Sequence, residues 1–497
     1  MAVQIPTHCL QGLSVLPVQM EVDVSAGMPI FSIIGMAGTS VQESKDRVRS
    51  AIVHSGFEFP LTRKVVNLAP AELGKQGSHF DLPMALGFLM ASGQMGLLPE
   101  DMRVMGELGL DGSVRPVSGV LPAILFAREQ GTKEVILPCE NLAEASLVDG
   151  IKLTGVSSLC EVVAYLEEGK AVECRALPWE LSEKAIMLDF ADISGHAPAK
   201  RALLVAAAGG HHVLMNGPPG SGKSLLAEAF PGLLPPLNRD ELLEVLRIYS
   251  IAGRTLDHFT LSRPFRRVHS RITPFALLGG GVSLAPGEIS LAHRGVLFMD
   301  EFPEFDRSTL EALRQPLECS EMTLKHGKRS SSFPCQFQLI AAQNPCPCGH
   351  LGDSEKTCSC AAREVKRYQN KISGPILDRI DLHIGVPRLP YEDFRLSSLE
   401  STASLQEKVL AARELQAARL QAYGLLTNQE MTPRLLKAER LDLKTEDLLK
   451  NAVRHHALSG RAIHRILKVS RTLADLEAKP MIEANHLMEA LQYRIKS

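Results

Sequence analysis

Lys223 and Ser224 end a run, Val213-Leu-Met-Asn-Gly217-Pro218-Pro219-Gly220-Ser221-Gly222-Lys223-Ser224, that matches G-x-x-x-x-G-K-[ST] without a mismatch. This pattern makes a phosphate-binding loop. Its glycines let successive backbone N–H groups turn inward around an anion, its lysine reaches the β- and γ-phosphates, and its serine hydroxyl can ligate Mg²⁺. An ordinary glycine turn is the competing reading; the apolar strand before the loop and the helical run Leu225–Phe230 after it weigh against that. Downstream, Val296-Leu-Phe-Met299 is a buried-strand run ending in Asp300 and Glu301. A carboxylate at such a strand end holds Mg²⁺ through water, and an adjacent glutamate can orient and deprotonate the attacking water. ATP and Mg²⁺ are the expected cofactors, and the Asp-Glu order points to hydrolysis. A further strand, Phe337–Ala342, leads to Gln343 and Asn344, an amide that either meets the γ-phosphate or the attacking water, or merely makes a turn. Arg379 stands among acids in Asp378-Arg-Ile-Asp381, where taken alone it reads as a surface ion pair.

Cys346-x-Cys348 and Cys358-x-Cys360 gather four thiols between Asn344 and Arg379. Thiolates at this spacing suit a structural Zn²⁺, with His350 as a substitute ligand; free thiols in a loop are the alternative. Upstream, Lys325-His-Gly-Lys328-Arg329 lies between Glu321–Leu324 and a strand starting near Phe333, so it reads as a hairpin tip. Its charges either meet nucleic-acid phosphates or are simply solvated.

Elements able to position these groups are legible in the pattern. Residues 1–170 alternate short apolar strands (Val15–Val24, Ile30–Ile34, Lys64–Leu68) with helical stretches such as Gln42–Ser55, an α/β domain. A charged stretch around Pro178 and Trp179 reads as a linker over 171–188. Residues 189–392 carry the loop and its partners. From 393 to 497 the apolar spacing is helical, at Leu405, Val409 and Ala412 and again over Glu446–His456, Arg461–Glu477 and Ala484–Arg494. A chain of 497 residues suits about three domains. Its net charge of −2 excludes a polycation, so any nucleic-acid contact must come from a local basic surface. No apolar run is long enough for a membrane span and the first residues lack the pattern of a secretory leader, so no membrane partner and a cytoplasmic location are expected. In that reducing setting ten cysteines are not expected to form a disulfide framework.

Taken together, the loop, Asp192-Ile-Ser-Gly-His-Ala-Pro-Ala-Lys200-Arg-Ala-Leu, Pro286-Gly-Glu-Ile-Ser-Leu-Ala-His-Arg-Gly-Val296, Asp300-Glu301, Asn344-Pro-Cys-Pro-Cys-Gly349 and Ser373-Gly-Pro-Ile-Leu-Asp-Arg-Ile-Asp381 resemble the ComM/YifB family of magnesium-chelatase-like AAA+ ATPases. The resemblance runs along essentially the whole chain. It implies a central AAA+ domain, a carboxy-terminal helical lid and an amino-terminal Lon-protease-like domain. It implies that Asn344 is the sensor 1 residue, that Arg379 is an arginine finger delivered in trans to a neighbour's γ-phosphate, and that Arg461 is the sensor 2 arginine. A finger in trans requires a homo-oligomeric ring, expected to be a hexamer. The hairpin becomes a presensor-1 hairpin, with Lys325, Lys328 and Arg329 contacting DNA backbone. One departure follows the Arg-Pro-Phe-Arg run: the family reads close to A-P-H-H there, whereas this chain has Arg267-Val-His269-Ser270-Arg271.

In the front domain, Asn67–Leu86 carries the Lon-like resemblance, and Ser78 invites comparison with a protease nucleophile. The lysine expected after a Pro-x-Gly-Gly-like turn is missing from Arg115-Pro-Val-Ser-Gly119-Val-Leu-Pro122. A serine without a base is a poor nucleophile, so this domain is expected to be catalytically inactive, with Ser78 capping a helix that begins near Phe80. The function that follows is a Mg·ATP-hydrolysing ring motor acting on DNA, in helicase or branch-migration work during recombination or natural transformation. The motor subunit of a metal chelatase and a protein-remodelling ATPase are the alternatives. The chelatase reading lacks a D-x-S-x-S motif on this chain, although that motif normally sits on a separate subunit.

Overall fold

The structure is a computed structural model that describes residues 2–494 apart from 173, 175–187, 255–260, 282–283, 328, 392–399 and 457. The expected linker falls almost wholly outside the described residues, as does Lys328.

Strands without polar alternation are what a parallel sheet covered on both faces requires. Val213–Asn216, Val296–Met299 and Gln338–Gln343 have that character and form the centre of a five-stranded sheet. Its order is Phe265–Val268, Val296–Met299, Gln338–Gln343, Val213–Asn216, Leu382–Gly385, and every neighbouring pair is parallel. Asn216 lies opposite Gln343, and Met299 opposite Ala341. This register makes the loop after Asn216, the acids after Met299 and the amide after Gln343 leave the same edge. In open parallel sheets the ligand crevice lies outside that carboxyl edge.

Helix Ala197–Gly209 packs with Thr402–Leu420, Leu443–His456, Gly460–Leu476 and Ala484–Gln492 in one apolar core. Leu405, Val409 and Ala412 are all buried in it, as three- and four-residue spacing on a helix dictates. Ser401 caps Thr402–Leu420 by accepting from the Ser404 N–H. Each large apolar side chain buried this way stabilises the fold by about 1.5–3 kcal/mol.

The front of the chain is mixed α/β. Its four-stranded sheet runs Val3–Gln11, Ser14–Ser25, Arg63–Ala69, Phe31–Ile34, and packs Val18, Met20 and Val22 inward at every second position. Helices Thr39–His54 and Asp81–Ala91 share its core. A second, parallel sheet joins Met102–Val104, Glu134–Pro138 and Lys152–Val156. Helix Val120–Glu129 beside it meets Leu237, Leu242, Val245 and Leu246 of the central region in a common apolar cluster.

One detail corrects the sequence reading. Ser78 does not cap a helix with its side chain: the helix begins at Asp81, Phe80 already has helical φ and ψ of −77° and −16°, and Ser78 contributes only its carbonyl, 3.0 Å from the Asp81 N–H. Asp81 secures that end by accepting from Ser44 and from Arg47 Nε at 2.6 Å. The nearest lysine in sequence, Lys75, donates its buried ammonium to the Pro70 carbonyl. Cys139 and Cys174 are joined, with their Cα atoms 6.0 Å apart, and the other eight cysteines are free.

Candidate nucleotide site

Gly220 and Gly222 take φ of +74° and +83°, the left-handed region that glycine enters without steric cost. Gly217 is glycine for a different reason: a Cβ there would come within 2.0 Å of the Val386 carbonyl oxygen. Lys223 folds back over the loop, donating to the carbonyls of Gly217 at 2.7 Å and Pro218 at 2.8 Å and lying 3.4 Å from Asn344 Oδ1. Burial pushes its ammonium below the ordinary lysine value and Asp300 opposes that shift. A phosphate arriving here would supply the counter-charge the buried ammonium needs.

Ser224 Oγ donates to Asp300 Oδ2 at 3.0 Å. Two hard oxygen donors at one point, beside a phosphate loop, suit Mg²⁺. Glu301, the next residue, is exposed and has φ +52°, an uncommon conformation for a side-chain-bearing residue, and its N–H donates to Asp300 Oδ1 at 2.9 Å. Arg267, on the edge strand where the family pattern is broken, reaches Asp300 Oδ2 at 3.3 Å and Glu228 at 2.8 Å. The sequence showed Arg267 only as a departure, since its strand partner across the sheet is not readable from the chain.

The structure therefore brings Gly217, Lys223, Ser224, Asp300 and Asn344 together at one sheet edge. Arg379 and Arg461 lie elsewhere in the chain. Arg379 precedes the strand Leu382–Gly385, whose first residue pairs with Val213, so it sits at the amino edge while the loop leaves the carboxyl edge. Its buried guanidinium donates to the Pro375 carbonyl at 2.6 Å and pairs with Glu318 Oε1 at 2.7 Å. Arg461, at the start of helix Gly460–Leu476, has Nη2 3.9 Å from the same Glu318 oxygen and is largely exposed. Glu318 was not singled out by sequence, because a lone glutamate in Leu317-Glu318-Cys319 carries no signal.

Asp381, two residues past Arg379, was also missed as a hub. Its shielded carboxylate accepts from Arg465 and from the His212 N–H at 3.1 Å, with His211 Nδ1 at 3.5 Å. It thereby ties a carboxy-terminal helix to the start of the loop strand. Burial works against the charge, but Arg465 first and His211 next hold the carboxyl well below the usual carboxylate range.

The four cysteines converge. The Sγ atoms of Cys346, Cys348, Cys358 and Cys360 lie within 4.8 Å of one another, with Cys346 to Cys348 at 3.4 Å and Cys358 at 3.6 Å from each of those two. Thiolates around a tetrahedral zinc with bonds of about 2.3 Å are roughly 3.8 Å apart, so the cluster has the right size. The backbone N–H of His350, followed by that of Ser359, holds the Cys348 thiol down to about 5. His350 is not part of the set: its Nδ1 lies 2.9 Å from Asp353 Oδ2.

The hairpin forms, with Glu321–His326 antiparallel to Arg329–Pro334 and His326 opposite Arg329. Lys325 and His326 are exposed at its end, whereas Arg329 is half-buried against the front domain. A Cβ on Gly74 would fall 1.7 Å from Arg329 Nη2, and Ser331 Oγ donates to the Gln11 carbonyl at 3.3 Å.

A phosphate loop, an acidic strand end and an amide on the intervening strand of one parallel sheet define a P-loop ATPase of the AAA+ type. The family model for magnesium chelatase, subunit ChlI, matches residues 189–394, that for subunit ChlI of Mg-chelatase matches 20–141, and that for the ChlI C-terminal region matches 399–494. Competence protein ComM of Haemophilus influenzae is 42% identical over 488 residues, covering 96% of this chain and 94% of that protein. The uncharacterized protein YifB of Escherichia coli is 38% identical over 492 residues, covering 98% and 96%. Lon protease 2 of Bacillus subtilis is 27% identical over 187 residues, covering 35% of this chain and 34% of the protease. The chain belongs to the ComM/YifB family of magnesium-chelatase-like proteins. Among the described residues no helix is long and apolar enough to cross a membrane.

Proposed function

We propose that the protein is a Mg·ATP-hydrolysing AAA+ motor that works as a homo-oligomeric ring, expected to be a hexamer, and acts on DNA. The observation that carries this reading is the split between the two halves of the site. Lys223, Ser224, Asp300 and Asn344 converge at the carboxyl edge of the sheet, while Arg379 stands at the opposite edge of the flanking strand. An arginine so placed serves a nucleotide on another subunit, where a cation at the transferring phosphate stabilises charge developing in the transition state. Arg461 shares Glu318 with Arg379, so we assign it to the same neighbouring nucleotide. In this scheme Ser224 and Asp300 hold Mg²⁺, Glu301 deprotonates the attacking water and Asn344 orients it. The cysteine cluster holds a structural Zn²⁺.

DNA as the substrate is supported by the exposed Lys325 at the hairpin end and by 42% identity to a protein named for competence. Such contacts would be to phosphates and independent of base sequence. Helicase or branch-migration work in recombination or natural transformation fits that chemistry. A second reading, the motor of a metal chelatase, is favoured by the ChlI family match and by nothing in the site that distinguishes it. ATP hydrolysis by the purified protein, titrated with single-stranded, duplex and four-way-junction DNA, separates the two. Stimulation by junction or single-stranded DNA is expected; no response to any DNA would overturn the motor-on-DNA reading.

A further inference from the structure

The cysteine loop touches the phosphate loop. Gly349 follows Cys348 with φ +83°, and a Cβ on it would come within 2.5 Å of Pro219 Cδ and 2.6 Å of Cγ. Backbone of the cysteine loop therefore lies directly against the ring of Pro219, one residue before the left-handed Gly220. On the other flank, Arg388 reaches back to the same cysteine loop, pairing with Asp353 at 3.4 Å and Glu355 at 3.1 Å. Arg388 lies two residues beyond Val386, whose carbonyl crowds Gly217 and whose N–H donates to the Asn216 carbonyl at 2.8 Å. A third tie runs along the chain, because Cys346 is fully buried two residues after Asn344. Helix Ala362–Gln369, which follows Cys360 closely, closes the segment by donating from Gln369 Nε2 to the Pro345 carbonyl at 3.3 Å.

We infer that a divalent metal held by Cys346, Cys348, Cys358 and Cys360 buttresses the phosphate loop, so that metal occupancy sets nucleotide affinity. This rests on the metal and ATP assignments made under the proposed function. From Asn344 to Ala361 the chain has two glycines, two prolines and neither helix nor strand, so side-chain ties rather than regular structure must fix it. With four thiolates bound to one ion, the turn at Gly349 becomes rigid and Pro219 has a firm wall behind it. Without the ion, the four thiols are no longer tied to a common centre, the turn loosens, and Gly217–Gly222 loses the backing that keeps its N–H groups convergent. Misplacement of a binding group by about 1 Å can cost two orders of magnitude in function. Oxidation of the thiols would release the metal and have the same consequence, with two thiols joined as a disulfide and two electrons passed to the oxidant, for example hydrogen peroxide.

The test uses the full chain. Zinc content is measured by elemental analysis, and affinity for a fluorescent ATP analogue is measured before and after the metal is extracted with a thiol-reactive mercurial and chelator, then after thiol and zinc are restored. Two variants accompany it. C358S combined with C360S removes two ligands; G349A keeps all four thiols but drives a methyl group into Pro219. Zinc in the wild type, weakening of nucleotide binding by roughly tenfold or more on extraction, recovery on restoration, and G349A that retains zinc yet binds nucleotide as poorly would bear out the coupling. If the double cysteine variant fails to fold, G349A and the extraction series still decide. A wild type without metal, or unchanged affinity after zinc is removed, overturns the inference. A zinc-bearing wild type that binds no ATP at all would instead overturn the ATPase reading.

Discussion

Arg465→Ala should destabilise the joint between the carboxy-terminal helices and the central sheet by about 3 kcal/mol. Asp381 has no solvent access at its side chain, and its partners are Arg465, the His212 N–H at 3.1 Å and His211 at 3.5 Å. His211 is itself lowered by burial, so it stays neutral and cannot replace the lost cation. Removing one side of a buried pair costs about 3–5 kcal/mol, because the remaining charge is stranded. Arg465 retains 14% exposure, so water can enter the gap and the lower end of that range applies. A chain this large need not unfold in one step, so the assay is native-state hydrogen exchange at amides of Leu382–Gly385 and Gly460–Leu476, supported by urea unfolding. The pH dependence gives an independent sign. In the wild type the folded carboxyl titrates below its unfolded value of about 3.9, so its contribution is complete above that pH and is lost as pH falls toward the folded value. Without Arg465, burial is opposed by fewer cations, Lys468 and Arg494 among them, and the folded carboxyl rises from its wild-type position. The deficit of the variant should then shrink as pH is lowered through that raised value, since protonation relieves the stranded charge. A loss under about 1 kcal/mol, or a deficit independent of pH, would refute the hub.

Glu301→Gln should retain ATP binding while hydrolysis falls by about 10²- to 10⁴-fold, the usual worth of a general base; near-normal single-turnover rates would remove Glu301 from that role. Arg379→Ala should abolish turnover with nucleotide binding intact, and mixing it with Lys223→Ala subunits should restore part of the activity at mixed interfaces. Steady-state hydrolysis that stays at background across all mixing ratios would count against a finger in trans. Gly217→Ala should eliminate nucleotide binding, because its Cβ would meet the Val386 carbonyl at 2.0 Å; a titration showing wild-type affinity would contradict the loop geometry.

What could be read from the chain depended on how local each signal was. Gly217 to Ser224 is contiguous, and the strands feeding it and Asp300 are unbroken apolar runs, so short-range pattern sufficed to assign both to one nucleotide site. The packing of Leu405, Val409 and Ala412 followed from helical spacing alone. Ser78 was misread because the cap was inferred from residue type, whereas Phe80 had already entered helical geometry and Asp81 secured the helix end. Arg267, Glu318 and the Asp381–Arg465 pair were invisible for a common reason. Each acts on a residue far along the chain, and an arginine or glutamate has the same sequence signature whether it is solvated or buried against such a partner. The four thiols were evident as a group, but their contact with Pro219 depends on the turn at Gly349, which only the folded backbone reveals.

The docking of the hairpin on the front sheet has a mechanical consequence. Arg329 lies against Gly74, and Ser331 hangs on the carbonyl of Gln11, next to Gly12, where a Cβ would be 1.9 Å from the serine oxygen. There is no slack at these points for the hairpin to swing alone. Any movement of Lys325 must therefore either carry the amino-terminal sheet with it or shear these contacts, which ties the position of the hairpin tip to that of the sheet.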